Sequence, residues 1–252
     1  MNWARYLLPL LLLALWQVLS SLKAIPVHLL PSPFAILLGF RDLMLTGMPP
    51  GYRLPYHALY SLYRVAWGFL AAALLGIPLG LLMGWSDRLR DLTTPIIELI
   101  RPIPPLAWIP IAILWFGIGM KSAAFIIFLG AFFPILLNTI SGVLSINPLF
   151  FEVAQTLNAK KRDVFFKVLI PGSLPSIFVG MRIGVGIGWM TLVAAEFTGV
   201  KTGYGLGYMI MTARDIQRPD EILAGMLVIG LIGILINTAL KACESRIIRW
   251  NA

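Results

Sequence analysis

Residues 122–144 read SAAFIIFLGAFFPILLNTISGVL. No side chain in this run is charged, and as a helix it exceeds the roughly 20 apolar residues needed to cross a bilayer core. The charge-free stretch continues to Phe151, and similar stretches run from Tyr6 to Leu22, Val65 to Trp85, Pro102 to Met120 and Ile222 to Leu240. Working outward, the whole chain is 59% hydrophobic and 12% charged, with a mean hydropathy of +0.86. A soluble domain carries about 25% charge, so this chain has too little polar surface to cover a globule in water. The reading is an all-α integral membrane protein.

Six spanning helices are predicted, near Tyr6–Leu22, Ser61–Trp85, Thr94–Gly117, Ala123–Val143, Leu174–Ala195 and Ile222–Leu240. They are expected to form a single transmembrane domain over residues 1–252. The first run follows Met-Asn-Trp-Ala-Arg with no small-residue cleavage site after it, so it reads as a retained helix. Between the first two spans, Ser32–Leu45 reads as a short interfacial helix opening on Ser-Pro.

The net charge of +9 belongs to the membrane topology rather than to nucleic acid, because membrane proteins gather Lys and Arg in cytoplasmic loops. With six spans both termini lie on one side. That side receives Arg5, Arg88, Arg90, Arg101, Lys160, Lys161, Arg162, Lys167, Lys241, Arg246 and Arg249; the other receives Lys23, Arg41, Arg53, Lys121, Lys201, Arg214 and Arg218. The dense Lys160-Lys161-Arg162 cluster places both termini in the cytoplasm. One cysteine, Cys243, excludes an intrachain disulfide and a Cys-based metal cluster. The two histidines, His28 and His57, fall in the outer region, which argues against an intramembrane enzyme.

Glycines recur at four-residue spacing twice: Gly76, Gly80 and Gly84, then Gly180, Gly184 and Gly188. Each set lies on one helix face, where small residues let backbones approach closely in lipid. The second and fifth spans are therefore expected to pack tightly, within the bundle or at a subunit seam, with Pro78 as a kink point. The third span opens on Arg101-Pro-Ile-Pro-Pro-Leu-Ala-Trp-Ile-Pro110, whose prolines remove backbone donors. Either the helix proper starts after Pro105, the favoured reading, or it is bent beside a water-filled pathway.

The segment 145–171 carries two amphipathic runs, Leu149, Phe150, Val153, Ala154, Leu157 and then Val164, Phe165, Val168, Leu169. Asn158 joins them, a residue that tolerates the left-handed conformation of a helix end, and Pro171 is expected to end the second helix. Such a helix-turn-helix suits docking into a groove of a soluble partner; an ordinary connecting loop lying on the membrane has the same pattern.

The stretch Glu152-Val-Ala-Gln-Thr-Leu-Asn158, with Val168-Leu-Ile-Pro171, resembles the EAA loop of ABC importer permeases: E-A-A, three residues, G, nine residues, I-x-L-P. Glu152, Ala154 and Pro171 match in identity and spacing. Val153 replaces an alanine, Asn158 the glycine, and Leu169-Ile170 stands for the apolar pair. The segments Pro95–Pro110, Leu114-Trp-Phe-Gly-Ile-Gly119, Pro171–Ser176 and Gly188–Glu196 are similar to the taurine, alkanesulfonate and nitrate permease family, over about Leu30–Asn251. The resemblance implies the type I ABC importer permease fold with cytoplasmic coupling helices. It further implies a second permease copy, two cytoplasmic ATPase subunits and an extracytoplasmic solute-binding protein. ATP and Mg would then sit on the ATPase partner, with no cofactor on this chain. Consistently, the G-x-x-x-x-G-K-[ST] phosphate loop is missing, Met120 standing before Lys121-Ser122.

In that frame Glu152, Val153, Ala154, Asn158, Leu169 and Pro171 are the candidate ATPase-coupling residues. Arg182, Glu98, Arg101, Trp189, Thr191 and Glu196 are the candidate pathway residues. Arg182 lies about 15 Å into the membrane by helical rise. It either attracts a passing anion, or pairs with Glu98, or snorkels to the surface. Glu98 and Arg101, three apart, can pair on one helix face. Trp189 and Thr191 either line the pore or pack in the core, and Glu196 marks the outer end of the fifth span. The resemblance favours taurine, another alkanesulfonate or nitrate as solute, with bicarbonate or a pyrimidine-type vitamin precursor as alternatives. A membrane scaffold or channel is the remaining rival.

Overall fold

The computed structural model describes residues 4–22, 26–197 and 203–248; Lys23, Lys201, Arg249 and Asn251 lie outside them. Described residues are helical nearly throughout. In order they form α1 (Ala4–Ser21), α2 (Pro33–Leu45), α3 (Leu54–Trp85), α4 (Asp87–Ile100), a 3₁₀ turn (Pro105–Trp108) and α5 (Ile109–Phe116). There follow α6 (Met120–Leu144), α7 (Pro148–Thr156), α8 (Lys161–Val164), a π-helical turn (Phe165–Leu169), α9 (Ile170–Phe197), α10 (Leu206–Asp215) and α11 (Pro219–Ile247). They fall into two compact units, Met1–Leu62 with Glu196–Ile232, and Tyr63–Ala195 with Gly233–Ala252.

Four helices are long and apolar enough to span a membrane: α3, α6, the continuous helix Lys161–Phe197 and α11. The expected third span is not one helix. α4 and the Pro105–Phe116 segment meet at 79°, and only taken together do they count as a fifth span. The break falls where Pro102, Pro104 and Pro105 withdraw donors from the ladder. The favoured start after Pro105 thus gives way to a bend, preceded by an amphipathic helix capped by Ser86, which accepts from Leu89 N at 3.4 Å. α1 is 18 residues long, about 27 Å at the helical rise, just short of a perpendicular crossing. Six is therefore an approximate count.

In the unit built on Tyr63–Ala195, α6 is the central element. Its apolar window is 56% buried, against 33% for α3. The Gly76/Gly80/Gly84 face of α3 meets Ile135, Thr139 and Val143 of α6, and the Gly180/Gly184/Gly188 face of α9 meets Asn138, Ala131, Ile135 and Ile127. A Cβ on Gly84 would stand 2.5 Å from Val143 Cβ, and one on Gly180 2.8 Å from Asn138 Cβ. Both glycine stripes thus serve one purpose, close approach to α6. Around them pack Leu81, Val143, Leu169 and Ile177, and further along Ala72, Ala131 and Ile135.

In the other unit, Ser32 caps α2 by accepting from Ala35 N at 3.1 Å. Gly39 of α2 lies against the Asp220 backbone, where an added Cβ would come within 2.9 Å of the carbonyl carbon. Arg218 joins the same corner to Asp42 at 3.3 Å, Asp220 at 2.8 Å and Glu221 at 2.9 Å. The hydrogen bond to Asp220 is the main influence raising the guanidinium's pKa.

Candidate functional site: a docking loop and a mid-span cavity

The loop after α6 is built by strong local signals. Asn147 caps α7, accepting from Leu149 N at 3.0 Å, and Pro148 occupies the first turn. At the other end Asn158 takes φ +54°. Its N–H donates to Gln155 O at 2.9 Å, and Ala159 N–H donates to Ala154 O at 2.9 Å. This bond pair is a Schellman closure with Asn in the left-handed position. A new helical run begins at Lys161, steadied by Lys167 with Asp163 at 2.8 Å.

Pro171 does not end that run. The ladder passes through the π turn, in which Ile170 N–H bonds Phe165 O, and continues into α9 without a stop. The widened register shifts bonding by one residue just before the proline, so the missing Pro171 donor falls at an existing irregularity. The second half of the loop, from Lys161, and the fifth span are therefore one helical rod.

α7 has two faces. Ala154 is buried, and Phe151 lies beside Trp85 at the end of α3, ring centroids 6.2 Å apart; Trp85 also meets Phe165 edge-on at 5.9 Å. The adjoining face exposes Leu149, Phe150, Val153 and Leu157, the last at 76%. Glu152 is also exposed, Leu169 is fully buried and Pro171 is half-buried. A stripe of large apolar side chains on a short helix outside the spans is a surface suited to a partner.

The pathway candidates do not converge on one site. Arg101 lines a cavity of about 420 Å³ at the break, together with Trp108, Gly130, Phe133, Asn138 and Ile183. Arg182 points elsewhere: it pairs with Glu244 of α11 at 3.3 Å, not with Glu98. Glu98 is exposed on α4 and forms no ion pair with Arg101 among the described residues. Trp189 is 7% exposed and packs against Gly233, while Thr191 packs on Gly130 from behind the cavity wall and donates to Gly188 O at 3.0 Å.

Glu196 lies in a separate polar cage. It is fully buried, accepts from Ser61 Oγ at 2.8 and 3.0 Å and from Gly207 N–H at 2.9 Å, and Ser61 Oγ accepts from Leu206 N–H at 2.9 Å. Beside it His57 bridges Gly205 and the Tyr52 carbonyl, at 2.9 and 3.0 Å. The sequence places His57 in the outer region and Ser61 at the start of a span without joining either to Glu196; their only local signal was polarity in an apolar neighbourhood.

A multi-pass helical membrane protein with a short helix exposing an apolar stripe outside its spans, and a cavity beside a bent helix pair, is compatible with a transport component. Residues 76–249 match the family model of the binding-protein-dependent transport system inner membrane component, and the chain belongs to that family. It is 46% identical over 69% of its length to an ABC transporter permease protein of Methanocaldococcus jannaschii, of which the match covers 64%. It is 38% identical over 95% to the taurine transport system permease protein TauC of Escherichia coli, covering 86% of that protein. With the nitrate import permease protein NrtB of Leptolyngbya laminosa it shares 35% identity over 68% of the chain and 60% of the relative. A chain of the MetNI methionine ABC transporter in an inward-facing conformation shares the fold, with a TM-score of 0.64 at 20% identity over 75% of this chain and 93% of that one. The protein is an ABC importer permease with the type I fold.

Proposed function

We propose that the chain forms the translocation pathway for a small anion, taurine or another alkanesulfonate or nitrate, in a complex of two permease copies, two cytoplasmic ATPase subunits and an extracytoplasmic solute-binding protein. TauC and NrtB, named for taurine and nitrate, support the solute class. The termini and the loop face the cytoplasm, where the Lys160-Lys161-Arg162 cluster belongs. ATP and Mg bind the ATPase partner, and this chain carries no catalytic residue.

The observation that carries the reading is the two-faced α7. Its outer residues Leu149, Phe150, Val153 and Leu157 meet the ATPase, while Ala154, Phe151 and the Trp85 anchor tie it to the spans. Glu152 pairs at the rim of that contact, and Asn158 fixes the angle between α7 and the rod of α8 and α9. Leu169 and Pro171 sit within the rod, so a displacement of α7 driven by ATP reaches the cavity wall through α9. Each end state is favoured by differential contacts of the partner with the loop.

The test is reconstitution of the chain with its ATPase and binding protein, measuring ATP hydrolysis with and without taurine and nitrate. Stimulation lost in Glu152→Lys, with assembly followed in parallel, supports the reading. Failure of any ATPase to bind the wild-type chain rejects it.

A further inference from the structure

The 420 Å³ cavity has one charged lining residue, Arg101; the others are apolar apart from Asn138. Asn138 turns its amide nitrogen back to Pro134 O at 2.8 Å. The cavity sits at half-depth. Its α6 residues, Leu129 to Asn138, lie in the middle of Met120–Leu144, and Ile183 and Ile187 lie in the middle of Ile170–Phe197. Arg101 closes α4 at the 79° break, donating its backbone N–H to Ile97 O at 2.8 Å. Three prolines follow within four residues, so little of the local backbone can donate toward the cavity.

Arg101 is exposed at the cavity, so its charge is open to an incoming anion. Arg182 and Arg218 each have carboxylate partners. Arg101 has none among the described residues. Its planar fork of donors suits the flat or tetrahedral oxygen array of nitrate or sulfonate.

We propose that Arg101 is the anion-recognising residue of the permease, pairing with the oxyanion of the solute while Trp108, Phe133 and Ile183 receive its apolar part. This rests on reading the cavity as part of the pathway, and the experiment separates the two.

In a Cys243→Ser background, Ile183→Cys places a thiol on the cavity wall of the reconstituted importer, with Leu137→Cys as a second site should the first not assemble. Its modification rate is measured with the anionic sulfonatoethyl and the cationic trimethylammonioethyl methanethiosulfonates. The expected result is a preference for the anionic reagent of about tenfold relative to the free thiol. The preference persists in Arg101→Lys, vanishes in Arg101→Gln and inverts in Arg101→Glu. Reaction with both reagents, with a ratio indifferent to residue 101, overturns the assignment of Arg101 and leaves the pathway standing. Reaction with neither reagent, at either site, overturns the pathway and the assignment together.

Discussion

Arg182 of α9 and Glu244 of α11 face each other as an ion pair at 3.3 Å, each about three-quarters buried. A charge fixed to a neighbouring helix is poorly placed to greet a passing anion, because solute would have to displace the carboxylate first. The pair reads as a clamp holding the end of α11 to the fifth span. Glu244→Ala should lower stability by about 1–3 kcal/mol, since it leaves a largely buried guanidinium without its partner. The exchanged pair Arg182→Glu with Glu244→Arg should recover most of that loss and retain solute uptake. Thermal unfolding in detergent together with uptake in vesicles checks both, and uptake abolished in the exchanged pair would return Arg182 to the pathway.

Glu196 is held the same way but with hydrogen bonds. Ser61→Ala removes one donor from a fully buried carboxylate, with an expected cost of about 1–3 kcal/mol. Glu196→Gln keeps the shape but must turn an amide N–H2 toward a cage of donors, so it should destabilise at least as much. Uptake per folded molecule should be little changed in either variant. A Gln variant that folds normally but does not transport would place Glu196 on the solute's route.

The spans were legible because charge-free runs leave few alternatives in lipid. The helix-turn-helix of residues 145–171 was legible too, since caps, helical period and the Asn158 turn act within a few residues. What stayed hidden is long-range. Nothing near Arg182 in sequence names Glu244, 62 residues away, as its partner. The two glycine stripes announced close approach without naming α6 as their shared neighbour. The prolines after Arg101 announced a break, but neither its 79° angle nor the cavity beside it, which needs α6 and α9 to complete its walls. Pro171 misled because a π turn just before it absorbs a missing donor that would end a regular helix.

The glycine faces give a test that separates packing from composition. A methyl on Gly80 would lie 2.7 Å from Thr139 Cβ and 2.9 Å from the Leu136 carbonyl oxygen, neither able to move cheaply. Gly80→Ala and Gly84→Ala should each cost about 1–3 kcal/mol through forced separation of α3 from α6. Gly186 of α9 has open space where its Cβ would be, and Gly186→Ala should leave the unfolding temperature of the isolated chain unchanged or slightly raised. Equal effects at all three positions would mean that glycine content, not the α3–α6 seam, sets the stability.

Asn158 links the loop's geometry to its proposed work. At φ +54° a residue with a Cβ carries strain of roughly 1–2 kcal/mol, which Asn partly offsets and Gly avoids. Asn158→Gly should therefore keep the Schellman turn, match or exceed wild-type stability and retain solute-stimulated ATP hydrolysis in the assembled importer. Asn158→Val is β-branched and resists this conformation, so α7 should rotate relative to Lys161 and the rod that follows. The expected outcome is a stability loss of about 1–2 kcal/mol together with a fall in the ratio of stimulated to basal hydrolysis. The ratio is the informative quantity. General destabilisation removes assembled complexes and lowers both rates alike, whereas a misdirected lever lowers only the stimulated one. If Asn158→Val leaves the ratio unchanged while α7 still binds the ATPase, then the angle at residue 158 does not transmit the signal, and the Trp85 anchor becomes the element to alter next.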